Sequence, residues 1–250
     1  MSNKSLITTL IILSLPFGSC KKGDGDPFFS LLSRKARVSG EWKLSSIEGE
    51  KHSKYSTETW TKWVKTGDEN AIITIASNVD TDVASTKTYN IRDYSMTINK
   101  DGTWSKIIQL DCEDIRETSN RIVTKTYAIN RSYSGTWAFI GKTKNEFKNK
   151  ERIILSLSHY VTLPAKWINI TEYKDGSPTF SDSNVFAGYN FDYSAGEFEN
   201  VYEIEMLKSK EMKWLLQSGS FVEETTLPSE PDAEYTAEYS EFETVVWKLK

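Results

Sequence analysis

Apolar side chains recur at every second position along most of this chain, and that period leaves few folds open. Val38, Trp42 and Leu44 alternate with Ser39, Glu41, Lys43 and Ser45, the pattern of a strand with one dry face and one wet face. Tyr94, Met96 and Ile98 repeat it, and Asn99-Lys100-Asp101-Gly102 then reads as a tight hairpin turn with glycine at the left-handed position. Trp104, Ile108 and Leu110 carry the return strand. Val123, Tyr127 and Ile129 mark another, Trp137 and Phe139 the next, and Ile153, Leu155 and Leu157 follow a Lys/Asn-rich turn. Tyr202, Ile204 and Met206 face Met212, Trp214 and Leu216 across Lys208-Ser209-Lys210, and Val245, Trp247 and Leu249 close the chain. With further strands near Ala71–Ser77, Thr86–Arg92 and Ala165–Tyr173, the count reaches ten or more. Parallel strands need crossover helices, and no long helix lies between these runs. The expectation is an all-β, antiparallel sandwich or barrel.

The first 19 residues stand apart. Leu6 to Phe17 is apolar, follows Lys4, and ends in the small pair Gly18-Ser19 just before Cys20. Twelve residues are too few to cross a bilayer, which takes about 20, but they suit the apolar region of a cleaved leader. The layout resembles a bacterial lipoprotein signal. That resemblance implies cleavage after Ser19 and lipid attachment at Cys20, so that the membrane is a partner through the N-terminal lipid. Residues 20–26 (Cys-Lys-Lys-Gly-Asp-Gly-Asp) form a short charged tether, resembling those of Bacteroidetes lipoproteins. The implied location is the bacterial outer membrane, with the periplasmic and surface faces both open. Asp26-Pro27 then reads as a helix start, with Phe28, Leu31 and Leu32 on one face.

Composition narrows the partners. Removing residues 1–19 from the 250-residue chain leaves 231, long enough to bury roughly 70–75% of its unfolded surface in a single domain over 27–250. The formal net charge is −4, and loss of Lys4 with the leader takes it to −5, which argues against nucleic acid. With Cys20 acylated only Cys112 remains, so no internal disulfide forms; flanking acids disfavour a Cys112 thiolate. Phe221 to Glu243 holds eight acidic residues and no basic one, read as a charged, solvated loop. Neither histidine, His52 or His159, belongs to a metal-ligand motif, and no nucleophile elbow or dinucleotide fingerprint occurs. No cofactor and no catalysis are expected.

Three Gly-x-Trp triplets punctuate the strands: Gly40-Glu41-Trp42, Gly102-Thr103-Trp104 and Gly135-Thr136-Trp137. The first opens the first strand after a short helix. With the Asp-Gly-Thr hairpin and the paired C-terminal strands, the arrangement resembles the lipocalin-like domains of Bacteroidetes lipoproteins. The resemblance implies an antiparallel up-and-down lipocalin-like barrel of about eight strands, with a short N-terminal helix and long loops. On the residues alone, all three tryptophans are expected in the core.

Lys174–Asn200, rich in Gly, Ser, Asp and Asn, carries Phe186, Tyr189 and Phe191 among other aromatics. A loop of 27 residues is often functional, and it could lie over the barrel mouth or pack outside as a hairpin. Trp60 and Trp63 form a second aromatic cluster outside the obvious core. These five residues are the candidate rim of a site for a small, partly apolar ligand. Two alternatives are an accessory lipoprotein with a filled barrel, docking onto another envelope protein, and a surface glycan binder.

Overall fold

The computed structural model describes the backbone of residues 33–55, 57–78, 83–140, 151–227 and 230–250, and their side chains except at 53–60, 77–84 and 217–242. The leader, Cys20 and the helix expected after Asp26 lie outside the described residues. A short helix, α1 (Arg34–Val38), does precede the first strand. Ser33 caps it, its Oγ accepting from the Ala36 amide at 3.1 Å.

The rest is strand. β1 (Gly40–Tyr55), β2 (Thr57–Lys65), β3 (Ala71–Asn78), β4 (Val83–Ile98), β5 (Thr103–Glu117) and β6 (Arg121–Ile140) fill the first half. β7 (Glu151–Thr162), β8 (Ala165–Tyr173), β9 (Phe180–Phe186), β10 (Tyr189–Asp192), β11 (Glu199–Leu207), β12 (Glu211–Leu227) and β13 (Glu230–Leu249) fill the second. Every pairing is antiparallel, and the pairings close on themselves. β1 pairs with β4 through Gly40–Lys43, then the circuit runs β4–β5–β6–β7–β11–β12–β13 and returns to β1, eight strands in all. The result is a barrel-like ring. At the far end the β2–β3 hairpin is wedged between β1 and β4 and widens it.

Several expected breaks are bulges in longer strands. The separate runs at Thr86–Arg92 and Tyr94–Ile98 are one strand, β4, with a register shift between Ile91 and Asp93. Val123–Ile129 and Trp137–Phe139 likewise belong to the single 20-residue β6. A bulge adds one residue and resets the alternation without ending the strand, so period counting divides it. β7 and β8 follow one line along β6, with Arg131 opposite Thr162 and Tyr127 opposite Trp167. Leu163-Pro164 interrupts them where proline has no amide to give.

The same holds for the segments expected to be loops. Part of Lys174–Asn200 is strand: β9 pairs with β8 and β10 with β7, with Phe186 opposite Ala165 and Tyr189 opposite Thr162. The acidic stretch is strand too. It forms the long β12–β13 hairpin, with Phe221 opposite Tyr239. Its polar composition misled because local composition does not register the strand partner that fixes it.

The densest packing sits at the α1 end. Trp42, Met96, Ile98, Ile153, Leu207, Met212 and Trp214 are fully buried there. The Gly-x-Trp tryptophans occupy this end, each with its indole N–H on a backbone carbonyl: Trp42 on Val38 (2.7 Å), Trp104 on Ser156 (3.2 Å) and Trp137 on Asn99 (2.8 Å). Three large rings are thereby buried with their one polar atom satisfied. The buried Arg37 donates to the Leu207 carbonyl at 2.5 Å, tying α1 to β11. The Asn99–Gly102 turn forms as expected. Gly102 adopts φ +97°, and Asp101 accepts from both the amide (2.9 Å) and the hydroxyl (2.7 Å) of Thr103.

Candidate functional site

Above the tryptophan layer the inward face of the ring changes character. Strand register decides what looks inward. On β5 the same face that carries Trp104 carries Lys106, Ile108, Leu110, Cys112 and Asp114 in turn. Opposite them on β6 stand Gly135, Tyr133, Arg131, Ile129, Tyr127 and Lys125. Tyr127 in turn faces Trp167 of β8. Beside the apolar residues, therefore, this wall holds cations and phenols.

The wall encloses cavities. One, about 480 Å³, lies where β6 passes from β7 to β8 and is bounded by Tyr127, Arg131, Tyr160, Trp167, Phe186 and Tyr189, with Lys125 also on its lining. A second, about 240 Å³, lies deeper, between Trp104, Lys106, Tyr133, Tyr160 and Tyr202. Tyr160 borders both, and its ring lies 5.0 Å from that of Tyr133. A third, about 360 Å³, adjoins at Lys125 and Tyr127 and reaches Lys87, Asp114 and Arg116. The 480 and 360 Å³ volumes fall in the range of roughly 300–1,000 Å³ that holds small molecules; the 240 Å³ cavity lies below it.

The cations divide into two sets. Lys87 and Arg116 reach Asp114 at 3.4 and 4.0 Å. Buried Lys65 is held by the Ser45 and Thr66 carbonyls at 2.7 and 3.1 Å; burial nevertheless pulls its pKa down, against the upward pull of Glu69 and Asp68. Lys106 and Lys125 instead lie over rings. The Lys106 ammonium lies 4.8 Å from the centre of the Tyr133 ring, and Lys125 lies 4.6 Å from Trp167 and 5.7 Å from Tyr127. Arg131 lies beside the Tyr133 phenol, whose pKa burial raises and Arg131 pulls back. Desolvation lowers the Lys106 pKa; Glu243 pulls it back up and Arg131 adds to the fall. Burial raises the Tyr94 and Tyr127 phenols well above their ordinary range, so both are neutral donors. Burial also raises the Cys112 thiol, which lies in the core of β5 and not at a reactive surface.

Of the five residues expected at a rim, Phe186 and Tyr189 line the 480 Å³ cavity and meet edge to face at 4.8 Å. Phe191 stacks on Tyr160 at 6.1 Å. Trp63 lies over Gly49, its cross-strand partner, at the margin of the core. Trp60 pairs with His52 and Ser77 in β2, and its side chain is not among those described. Sequence reasoning missed Lys106, Lys125, Arg131, Tyr127, Tyr160 and Trp167. His159 bonds Asp192 across β7 and β10 at 2.6 Å. Among the described residues no group of three or more His, Cys, Asp or Glu side chains is arranged to hold a metal ion, and no helix is long and apolar enough to cross a membrane. The chain matches no protein-family model, and no curated protein or solved structure is significantly similar to it.

Proposed function

We propose that this chain is a lipid-anchored, non-catalytic lipoprotein of the cell envelope, with a lipocalin-like up-and-down barrel that takes up a small, partly apolar molecule. The observation that carries this reading is the cavity of about 480 Å³ beside β6, whose lining includes the rings of Tyr127, Tyr160, Trp167, Phe186 and Tyr189 among smaller apolar residues. Such a site buries an apolar body and orients it with a few polar groups. The ring itself supports the lipocalin comparison, since its eight members follow one another in chain order with hairpins added between them. An eight-stranded ring has room for either a filled interior or one small ligand. The test is native mass spectrometry of the protein extracted from its own membrane. A co-purifying small molecule is expected; repeated recovery of the empty protein overturns ligand uptake.

A second reading, docking onto an envelope protein, draws on the free edge of β9, where Phe180 and Val185 are 58% and 65% exposed. In the same spectra it would show as a stoichiometric protein partner. Glycan stacking draws less support. The exposed rings of β9–β10 do not form a flat row, since Phe186 and Tyr189 are perpendicular and Tyr189 and Phe191 are tilted by 39°.

The anchor is tested separately. Cys20→Ser removes the thiol that a lipid would occupy. Two acyl chains bind a bilayer firmly, at about 0.8 kcal/mol per buried methylene. The variant is expected to move from the detergent phase to the aqueous phase; unchanged partitioning overturns lipidation.

A further inference from the structure

We infer that β9 is the seam of a symmetric dimer: a second copy of this chain pairs its own β9 antiparallel to this one, with Ser183 opposite Ser183, Asp182 opposite Asn184 and Phe180 opposite Phe186. This goes beyond ligand uptake and does not depend on it. It gives the exposed edge of the sheet one occupant, the same edge of another copy.

The edge is unguarded. Among the described residues β9 pairs with β8 alone, through seven residues in unbroken register from Phe180 opposite Thr171 to Phe186 opposite Ala165. All seven are exposed. Natural proteins blunt such an edge with lysine, proline, a bulge or a covering segment. Phe-Ser-Asp-Ser-Asn-Val-Phe contains no lysine, proline or glycine, and no bulge interrupts its pairing. The backbone groups on its far side are open to one more strand. The sequence selects which strand. It is nearly palindromic about Ser183, with a phenylalanine at each end and Asp182 and Asn184 on either side of the centre. A two-fold axis at Ser183 pairs the whole strand with itself and sets ring against ring, Ser181 against Val185, and a carboxylate against an amide. An axis at Asp182 would set two carboxylates directly opposite each other, which is destabilising. An axis at Asn184 would leave Phe180 beyond the end of the partner strand. The contact uses the same patch on both copies, so it closes as a dimer and does not propagate. It also reaches the cavity. Phe186 is on the lining, and directly opposed residues share one face of a sheet, so Phe180 of the second copy stands beside the lining at Phe186. Seven residues a side is far short of the roughly 20–30 of a standard interface, so the dimer is expected to depend on concentration.

Cysteine cross-linking of the full-length protein in mild detergent reads the register. Ser183→Cys and Ser181→Cys are made separately and oxidised with copper–phenanthroline; the parent, which retains Cys20 and Cys112, sets the background. In a directly opposed pair the two Cα atoms at position 183 lie roughly 4.5–5.5 Å apart, within the span of a disulfide. The two at position 181 are offset by four residues along the strand, about 13 Å, beyond that span. Ser183→Cys is expected to form disulfide-linked dimer roughly tenfold faster than Ser181→Cys, or more. Equal rates at the two positions, or none above background at either, overturn the inference. Linkage of Ser183→Cys to a different protein, when the oxidation is done in the cell membrane, also overturns it and favours docking onto an envelope protein. Ser183→Lys gives an independent measurement, since it sets two like charges directly opposite each other. In sedimentation it is expected to be monomeric at a concentration where the parent is partly dimeric. A parent that stays monomeric at every concentration overturns the dimer. Positions 181 and 183 are both exposed, so the substitutions are expected to leave the fold intact, and none of these outcomes bears on ligand uptake.

Discussion

Trp42→Ala is expected to cost about 3–5 kcal/mol of stability, the range for truncating a buried aromatic ring. Trp42 is 0% exposed and belongs to the cluster that joins β1, β4, β11, β12 and β13 at the α1 end. Its loss acts twice. It opens a cavity among Met96, Ile98 and Leu207, which are pinned by strand pairing and close it poorly. It also removes the donor that the Val38 carbonyl accepts from at 2.7 Å, freeing the end of α1. Trp42→Phe separates the two effects, since it retains much of the ring volume but not the N–H. The phenylalanine variant is expected to lose about 1–2 kcal/mol. Urea unfolding followed by circular dichroism reads both. In a domain of this size the alanine variant lowers the melting temperature by about 10 °C or more. A loss below about 1 kcal/mol for Trp42→Ala would mean that the α1 end is not the principal core.

How far the fold was legible in the sequence follows from what alternation can and cannot register. Where a strand has one dry face, as at Tyr202–Met206 against Met212–Leu216, the apolar period identified both strands and their pairing, with Ile204 opposite Trp214; a register shift after Ile204 then moves Met206 opposite Lys213 and puts Leu207, not Met206, against Met212. The Asn99–Gly102 turn was readable because only glycine fits φ +97° without strain. Bulges at Ile91/Asp93 and Ser134/Gly135 were not, because the register shift they cause looks like the end of a strand. The candidate site was hidden for a related reason. Between Trp104 and Ile108 the inward position is Lys106, and between Val123 and Tyr127 it is Lys125. A search for apolar residues steps over both. The signal was nonetheless present: a lysine at an inward position of an apolar strand is either a defect in the core or part of a site. Register, which needs coordinates, is what puts Lys106 beside Tyr133, and Lys125 and Tyr127 beside Trp167. The polar segments at 174–200 and 221–243 became strands because their partners are strands already fixed in the ring, an influence that local composition does not carry.

Gly135→Ala is expected to be as damaging as loss of a buried ring, though it adds one methyl group. A Cβ at Gly135 would lie 1.9 Å from the Ser156 carbonyl oxygen and 3.0 Å from both the Ser156 carbonyl carbon and the Ser158 amide nitrogen. All three are backbone atoms of β7, so no side chain can rotate away. The same Ser156 oxygen accepts the Trp104 indole N–H at 3.2 Å, and Trp104 is the cross-strand partner of Gly135. Three strands therefore meet at one point: β5 supplies the indole, β6 the missing side chain, and β7 the carbonyl. To admit the methyl, β6 and β7 must separate at the bulge between Ser134 and Gly135, which breaks both the ladder and the indole contact. The expected loss is about 3 kcal/mol or more, the size reached by overpacking that is compounded by broken hydrogen bonds. Gly67→Ala is the control, since nothing lies within 4 Å of its added Cβ. It is expected to stay within about 0.5 kcal/mol of the parent. Since Trp104 and Tyr133 both border the deeper cavity, Gly135→Ala should also weaken capture of an aromatic probe in whatever fraction remains folded. Wild-type stability in Gly135→Ala would show that β6 and β7 do not approach this closely in solution, and the placement of the cavity wall above them would fall with it.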